Sequence, residues 1–90
     1  MKKFIIERKL PGAGNMTVEE LREISKISIA VSESMSNPYK WVESFVTEDA
    51  IYCIHEAESE SVIREHSSLC NFVINRVEEV QFVIGPETAE

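Results

Sequence analysis

Two strand-forming runs separated by only two residues constrain this chain more than anything else in it. Trp41 to Thr47 and Ala50 to Glu56 flank Glu48-Asp49. Aromatic and β-branched side chains fill both runs, and so short a connection joins antiparallel neighbours, so the segment predicts a hairpin at the middle of the chain. What lies on either side of that hairpin then sets the fold.

Before it, Lys3 to Arg8 reads as a strand centred on Phe4, Ile5 and Ile6. Pro11-Gly12-Ala13-Gly14-Asn15 breaks that strand, because Pro cannot continue a ladder and Gly and Asn accept left-handed backbone. Thr17-Val18-Glu19-Glu20 opens a helix as a capping box. Leu21, Ile24, Ile27, Val31 and Met35 keep helical spacing to about Ser34, and Ser36-Asn37-Pro38 stops the helix. After the hairpin, Ser59 is the expected N-cap of a second helix with Glu60 in its first turn. That helix runs to about Cys70, and Asn71 stands where a left-handed cap is needed. Val77 to Ile84 reads as the last strand, ended by Gly85-Pro86.

The order is strand, helix, strand, strand, helix, strand. Right-handed crossovers around a central hairpin give a single α+β domain over residues 1–90, the ferredoxin-like βαββαβ arrangement. Four antiparallel strands carry both helices on one face. The other face is bare in a monomer, and a chain of 90 residues buries only a modest fraction of its surface, so a homodimer is expected.

The net charge is −7. Its acids are scattered, as on a solvated surface, and no basic stripe offers itself to nucleic acid. Apolar runs such as Ile27 to Val31 are too short to span a membrane, and the N-terminus lacks the apolar run of a signal peptide, so a cytoplasmic protein is expected. Cys53 and Cys70 belong to no Cys-x-x-Cys pair and are expected to be reduced and buried.

Alternation along the hairpin sorts its side chains. With Thr47 opposite Ala50, Trp41, Glu43, Phe45, Tyr52, Ile54 and Glu56 share one face. Val42, Ser44, Val46, Ile51, Cys53 and His55 share the other. The second set is smaller and more aliphatic and is assigned to the helix side. The first is assigned to a subunit interface or a ligand cavity, with Glu43, Tyr52, Glu56 and, from the first strand, Glu7 as cavity candidates.

The second helix carries His66 within the stripe Val62, Ile63, His66, Leu69, Cys70. A titratable ring on an inward face is either a hydrogen-bonded core histidine or a ligand. Cys53 and His55 are expected to face His66 and Cys70, and thiolate with imidazole suits borderline-soft metals such as zinc and nickel. The spacing matches no zinc-finger pattern. Ser67-Ser68 is assigned to the polar helix face. Gly12 and Gly14 lack the third glycine and spacing of a phosphate loop.

Several stretches resemble a known family. Lys3-Phe4-Ile5-Ile6-Glu7-Arg8, Leu10 to Asn15, and Thr17-x-Glu19-Glu20-Leu21 are similar to the opening of a family of small proteins described as nickel-binding or of unknown function. The likeness continues in Trp41-Val42-x-Ser44-Phe45-Val46-Thr47, Ile51-Tyr52-Cys53, Ile63-Arg64-Glu65-His66 and Asn75-Arg76-Val77-x-Glu79-Val80. It implies a ferredoxin-like dimer, related in shape to the dimeric α/β-barrel proteins, and places Cys53, Glu65 and His66 on recurring positions. The chain departs from the pattern at His55, Asn71 and Val73, where an aromatic, a glycine and a proline are usual.

Together these observations predict a small homodimer that binds nickel or another divalent transition metal, or a small ligand, with His66, His55 and Cys53 as metal ligands. The rival expectation is an enzyme like the cofactor-independent monooxygenases, with a histidine acting in the cavity between sheet and helices.

Overall fold

The computed structural model describes all 90 residues. Strand β1 (Lys2–Lys9) leads through a 3-10 turn (Ala13–Asn15) to helix α1 (Val18–Ser34). The hairpin of β2 (Tyr39–Val46) and β3 (Ala50–Ala57) follows, then α2 (Glu60–Cys70), β4 (Arg76–Glu79) and a closing 3-10 turn (Pro86–Ala89). The strands form one antiparallel sheet in the order β2-β3-β1-β4, which is the ferredoxin-like topology.

Both helices cover one face, and the core lies beneath them. Phe4 and Ile6 from β1, Ile51, Cys53 and Ala57 from β3, and Val62 and Ile63 from α2 form its centre. The strand period of two explains the set: every second residue of β1 and β3 points at the helices. That set includes Arg8, which is 7% exposed.

The capping box forms as the sequence predicts. Thr17 Oγ1 accepts from the Glu20 amide at 3.1 Å, and Glu20 Oε1 accepts from the Thr17 amide at 2.9 Å. The inward stripe of α1 is rotated from its apolar spacing. Ile27 is exposed and Ser28 is buried in its place. A small side chain there lets the α1 backbone approach α2 closely.

Alpha-2 departs in the same sense. Leu69 is exposed, while Val62, Ile63, His66, Ser67 and Cys70 are buried. Ser67 therefore leaves the polar face assigned to it, because its hydroxyl meets Arg8 from the sheet below. Ser59 occupies the N-cap position, but its hydroxyl bonds Ser61 Oγ at 2.9 Å and makes no cap bond. Its carbonyl accepts the first helical bonds instead.

Asn71 ends α2 at φ 61° and ψ 38°, the only non-glycine residue with positive φ. Its amide reaches back to the Ser67 and Ser68 carbonyls, as left-handed caps do. Replacing it with glycine removes the Cβ strain of that conformation. Asn71→Gly should raise the urea midpoint at unchanged slope, by a few tenths to about 1 kcal/mol.

The last strand is shorter than the Val77–Ile84 run predicts. Beyond Glu79 one ladder bond remains, from the Val80 amide to the Lys3 carbonyl at 2.8 Å. The ladder ends there, although β1 extends two residues past Phe4, the partner of Glu79. Phe82, Val83 and Ile84 run on with their side chains exposed.

Candidate functional site

A cavity of about 340 Å³ lies between α1 and the sheet, within the size range of small-molecule sites. Leu21, Ile24, Ser25 and Ser28 of α1 form its roof. Ile51, Cys53 and His55 of β3 and Arg8 of β1 form its floor. Phe72 and Val73, just past α2, close one side, and Trp41, Ser44 and Val46 of β2 the other.

Trp41 corrects the face assignment made from alternation. Trp41 pairs with His55 and Glu43 with Ile54, so two steps on β2 match one on β3, and Val42 is the extra residue of a β-bulge. Past the bulge the expected pairing holds, with Ser44 and Val46 on the helix side and Phe45 opposite Tyr52 on the open side. Before the bulge every side chain is reversed, and Trp41 turns into the cavity, where its indole Nε1 donates to Ser44 Oγ at 2.9 Å. No glycine or proline marks the position, so nothing local announces it.

His66 is fully buried, and its Nε2 lies 3.0 Å from the Ser28 carbonyl. A carbonyl only accepts, so the proton sits on Nε2 and the lone pair on Nδ1. The Cys70 sulfur lies 3.7 Å from Nε2 and 3.9 Å from Nδ1, and Tyr39 stacks on the ring at 4.1 Å between centroids. His55 is 2% exposed, and its ring centroid is 5.4 Å from that of His66. The Tyr39 hydroxyl is 2.5 Å from His55 Nδ1 and has no other acceptor, so it donates there and leaves Nε2–H of His55 without a protein acceptor.

Burial holds both rings neutral. It pushes His55 down to about 3, helped by the Arg8 charge and then by His66. It lowers His66 too, against the pull of the Ser28 hydrogen bond and with a smaller push from Arg8. The same burial raises the Tyr39 phenol and the Cys70 thiol above their usual ranges. Cys53 and Cys70 are both free thiols.

The structure thus brings His55, His66 and Cys70 together and puts Cys53 in the cavity wall beside His55. It does not turn them into a metal cage. No three His, Cys, Asp or Glu side chains gather around one point. The His55 Nδ1 lone pair is taken by the Tyr39 hydroxyl and no second donor converges on the His66 lone pair, so within one protomer the donor set does not fit a transition metal, which needs converging lone pairs. Glu7, Glu43, Tyr52 and Glu56 lie on the open face of the sheet. Glu7 is the cross-strand neighbour of Tyr52, whereas Glu43 and Glu56 lie farther along and pair with Ile54 and Lys40. Glu65 is exposed on α2.

Arg8 escaped the sequence reading. Its Nη1 donates to Ser67 Oγ at 3.1 Å and to the Val73 carbonyl at 2.9 Å, and its guanidinium stands 5.5 Å from the centre of the Phe72 ring. The sequence places it in the first strand, where its charge suggests an outward side chain. The available signal was parity: Arg8 is two and four residues from the apolar Ile6 and Phe4.

A model of nickel responsive proteins, the SCO4226-like family, matches residues 4–80. The chain belongs to that family. The SCO4226-like assignment agrees with the resemblance seen in its opening strand and turn. The crystal structure of SCO4226 from Streptomyces coelicolor A3(2) aligns with a TM-score of 0.78 at 15% identity, covering 91% of this chain and 99% of that one. That likeness establishes the shared fold. No curated protein matches the chain. No helix of this SCO4226-like chain is long and apolar enough to cross a membrane.

Proposed function

We propose that this protein is a small-ligand-binding homodimer whose site is the cavity between α1 and the sheet. The observation that carries the reading is the cavity itself: about 340 Å³, largely apolar, with Arg8, His55 and Ser44 among the polar groups in its walls. The bulge supports it, since it turns the one tryptophan of the chain into that space and away from the open face.

Trp41 supplies the assay. Titrating a neutral apolar probe, cyclohexanol, should change its emission saturably, and the cavity-filling variant Ser25→Leu should abolish the change. A wild type that does not respond, or a response that survives Ser25→Leu, sinks the reading.

The dimer rests on the open face of the sheet and on the tail. Ile5 and Phe45 are exposed there, and Phe82, Val83 and Ile84 are exposed past β4. An apolar patch of this kind favours a second copy of the chain. Sedimentation equilibrium at micromolar concentration should return about twice 10.3 kDa; a stable monomer contradicts the assignment.

A bound divalent transition metal, nickel first, is the second reading, and the family description favours it. It requires further ligands to converge on the Nδ1 lone pair of His66, while Nε2–H keeps the Ser28 carbonyl, or ligands from two protomers to meet.

A further inference from the structure

We propose that the cavity is a receptor for a small amphipathic monocarboxylate, with the carboxylate on Arg8 and the hydrocarbon body against Trp41, Ile24 and Phe72. The proposal deepens the ligand-binding reading above and rests on it.

The chain carries sixteen acidic residues against nine basic ones, yet none of the residues lining the cavity is acidic. Arg8 and Lys9 are the charged groups among them. Arg8 is 7% exposed and forms no ion pair. A guanidinium cannot shed its proton, and a buried charge is costly unless it is paired. The two neutral acceptors on Nη1 leave Nε and Nη2 without protein partners. Neither of these atoms is fully buried, because no buried side-chain nitrogen or oxygen lacks a hydrogen bond, and Arg8 lines the cavity. Nε and Nη2 form one edge of the planar fork, the edge that grips a carboxylate through two parallel hydrogen bonds.

The surroundings sharpen the class. Nε2–H of His55, on the same floor, also lacks a protein acceptor. The site thus offers donors and one fixed positive charge, as an anion requires, whereas the remaining wall is apolar and aromatic. A fully hydrated dianion gains little from such a wall. A carboxylate on a ring or branched chain gains from both parts, by the charged hydrogen bonds and by burial of its hydrocarbon.

Benzoate, benzamide and phenyl phosphate are the probes, followed through Trp41 emission in the wild type and in Arg8→Lys. Benzoate should bind at least about 10-fold more tightly than its neutral isostere benzamide, and Arg8→Lys should weaken it by about 10-fold or more, since lysine lacks the two-pronged edge. Should Arg8→Lys fail to fold, the wild type still decides. The Arg8 Nε–H resonance should move downfield with benzoate and stay in place with benzamide. Equal binding of benzoate and benzamide, or benzoate binding that survives Arg8→Lys, overturns the anion assignment while leaving the cavity as a site. Tighter binding of phenyl phosphate overturns the carboxylate class. A response to cyclohexanol with none to benzoate overturns this proposal alone; silence to both overturns it together with the ligand-binding reading.

Discussion

Acidification from pH 7 to pH 4 should lower the unfolding free energy by about 3 kcal/mol through His55 alone. In the unfolded chain the imidazole takes its proton near 6.5, whereas the folded ring refuses it until about 3. The stability that follows from a neutral His55 is therefore fully present above about pH 6.5 and is lost as the pH falls through the window from 6.5 to 3. Each pH unit inside that window costs about 1.4 kcal/mol per histidine. His66 is shifted in the same direction and adds to the slope. The physical cause is local. Both rings are buried against each other and against Tyr39, and the Arg8 cation disfavours a second positive charge nearby. Urea denaturation at pH 7, 5.5 and 4 reads the slope. His55→Asn, which keeps an acceptor for Tyr39, should flatten it by about one proton's worth. A wild-type stability that is level from pH 7 to 4 would contradict the neutral-pair geometry.

His66→Ala should cost about 2–4 kcal/mol, in the range of large-to-small substitutions at sealed core positions. The ring is fully buried, stacks on Tyr39 and ties α2 to the Ser28 carbonyl of α1. Removing it opens a hole beneath both helices and frees the Tyr39 ring. Equilibrium unfolding measures the loss, and a change below about 1 kcal/mol would mean that the α1–α2 junction holds without it. The same variant, once shown to be folded, tests the metal reading by calorimetric titration with nickel at two pH values. Affinity that vanishes in His66→Ala and weakens as the wild type is acidified supports His66 as a ligand, because protons and metal compete for the ring. Affinity that survives moves ligation elsewhere, with the open-face glutamates Glu7, Glu43 and Glu56 next to examine. The structure accounts for His66 as a core residue without any metal, so loss of stability is the larger expected effect.

Local chemistry alone determined most of the architecture. The Glu48-Asp49 connection, the Thr17–Glu20 capping box and the Asn71 cap depend on neighbours a few residues apart, so their residues announce them. Strand order followed from element order, because right-handed crossovers leave little choice. The apolar stripe likewise sent His66 inward, next to His55 and Cys70. What tertiary structure alone decided lies where a distant partner overrides the local pattern. Ser28 and Ser67 are buried because α1 meets α2 closely and because Arg8 reaches up from the sheet, and neither contact is written in helical periodicity. The Val42 bulge reverses Trp41 because a side-chain period of two has no tolerance for one extra residue, and edge strand β2 has neighbours on one side only to hold its register. The final strand stops at Glu79, opposite Phe4, although β1 extends to Lys2 and the apolar residues of the last segment continue. Arg8 is the residue on which the site turns. Its charge reads as surface although its parity with Phe4 and Ile6 points it under the helices, and only the tertiary structure places it at a cavity with no acid to meet it.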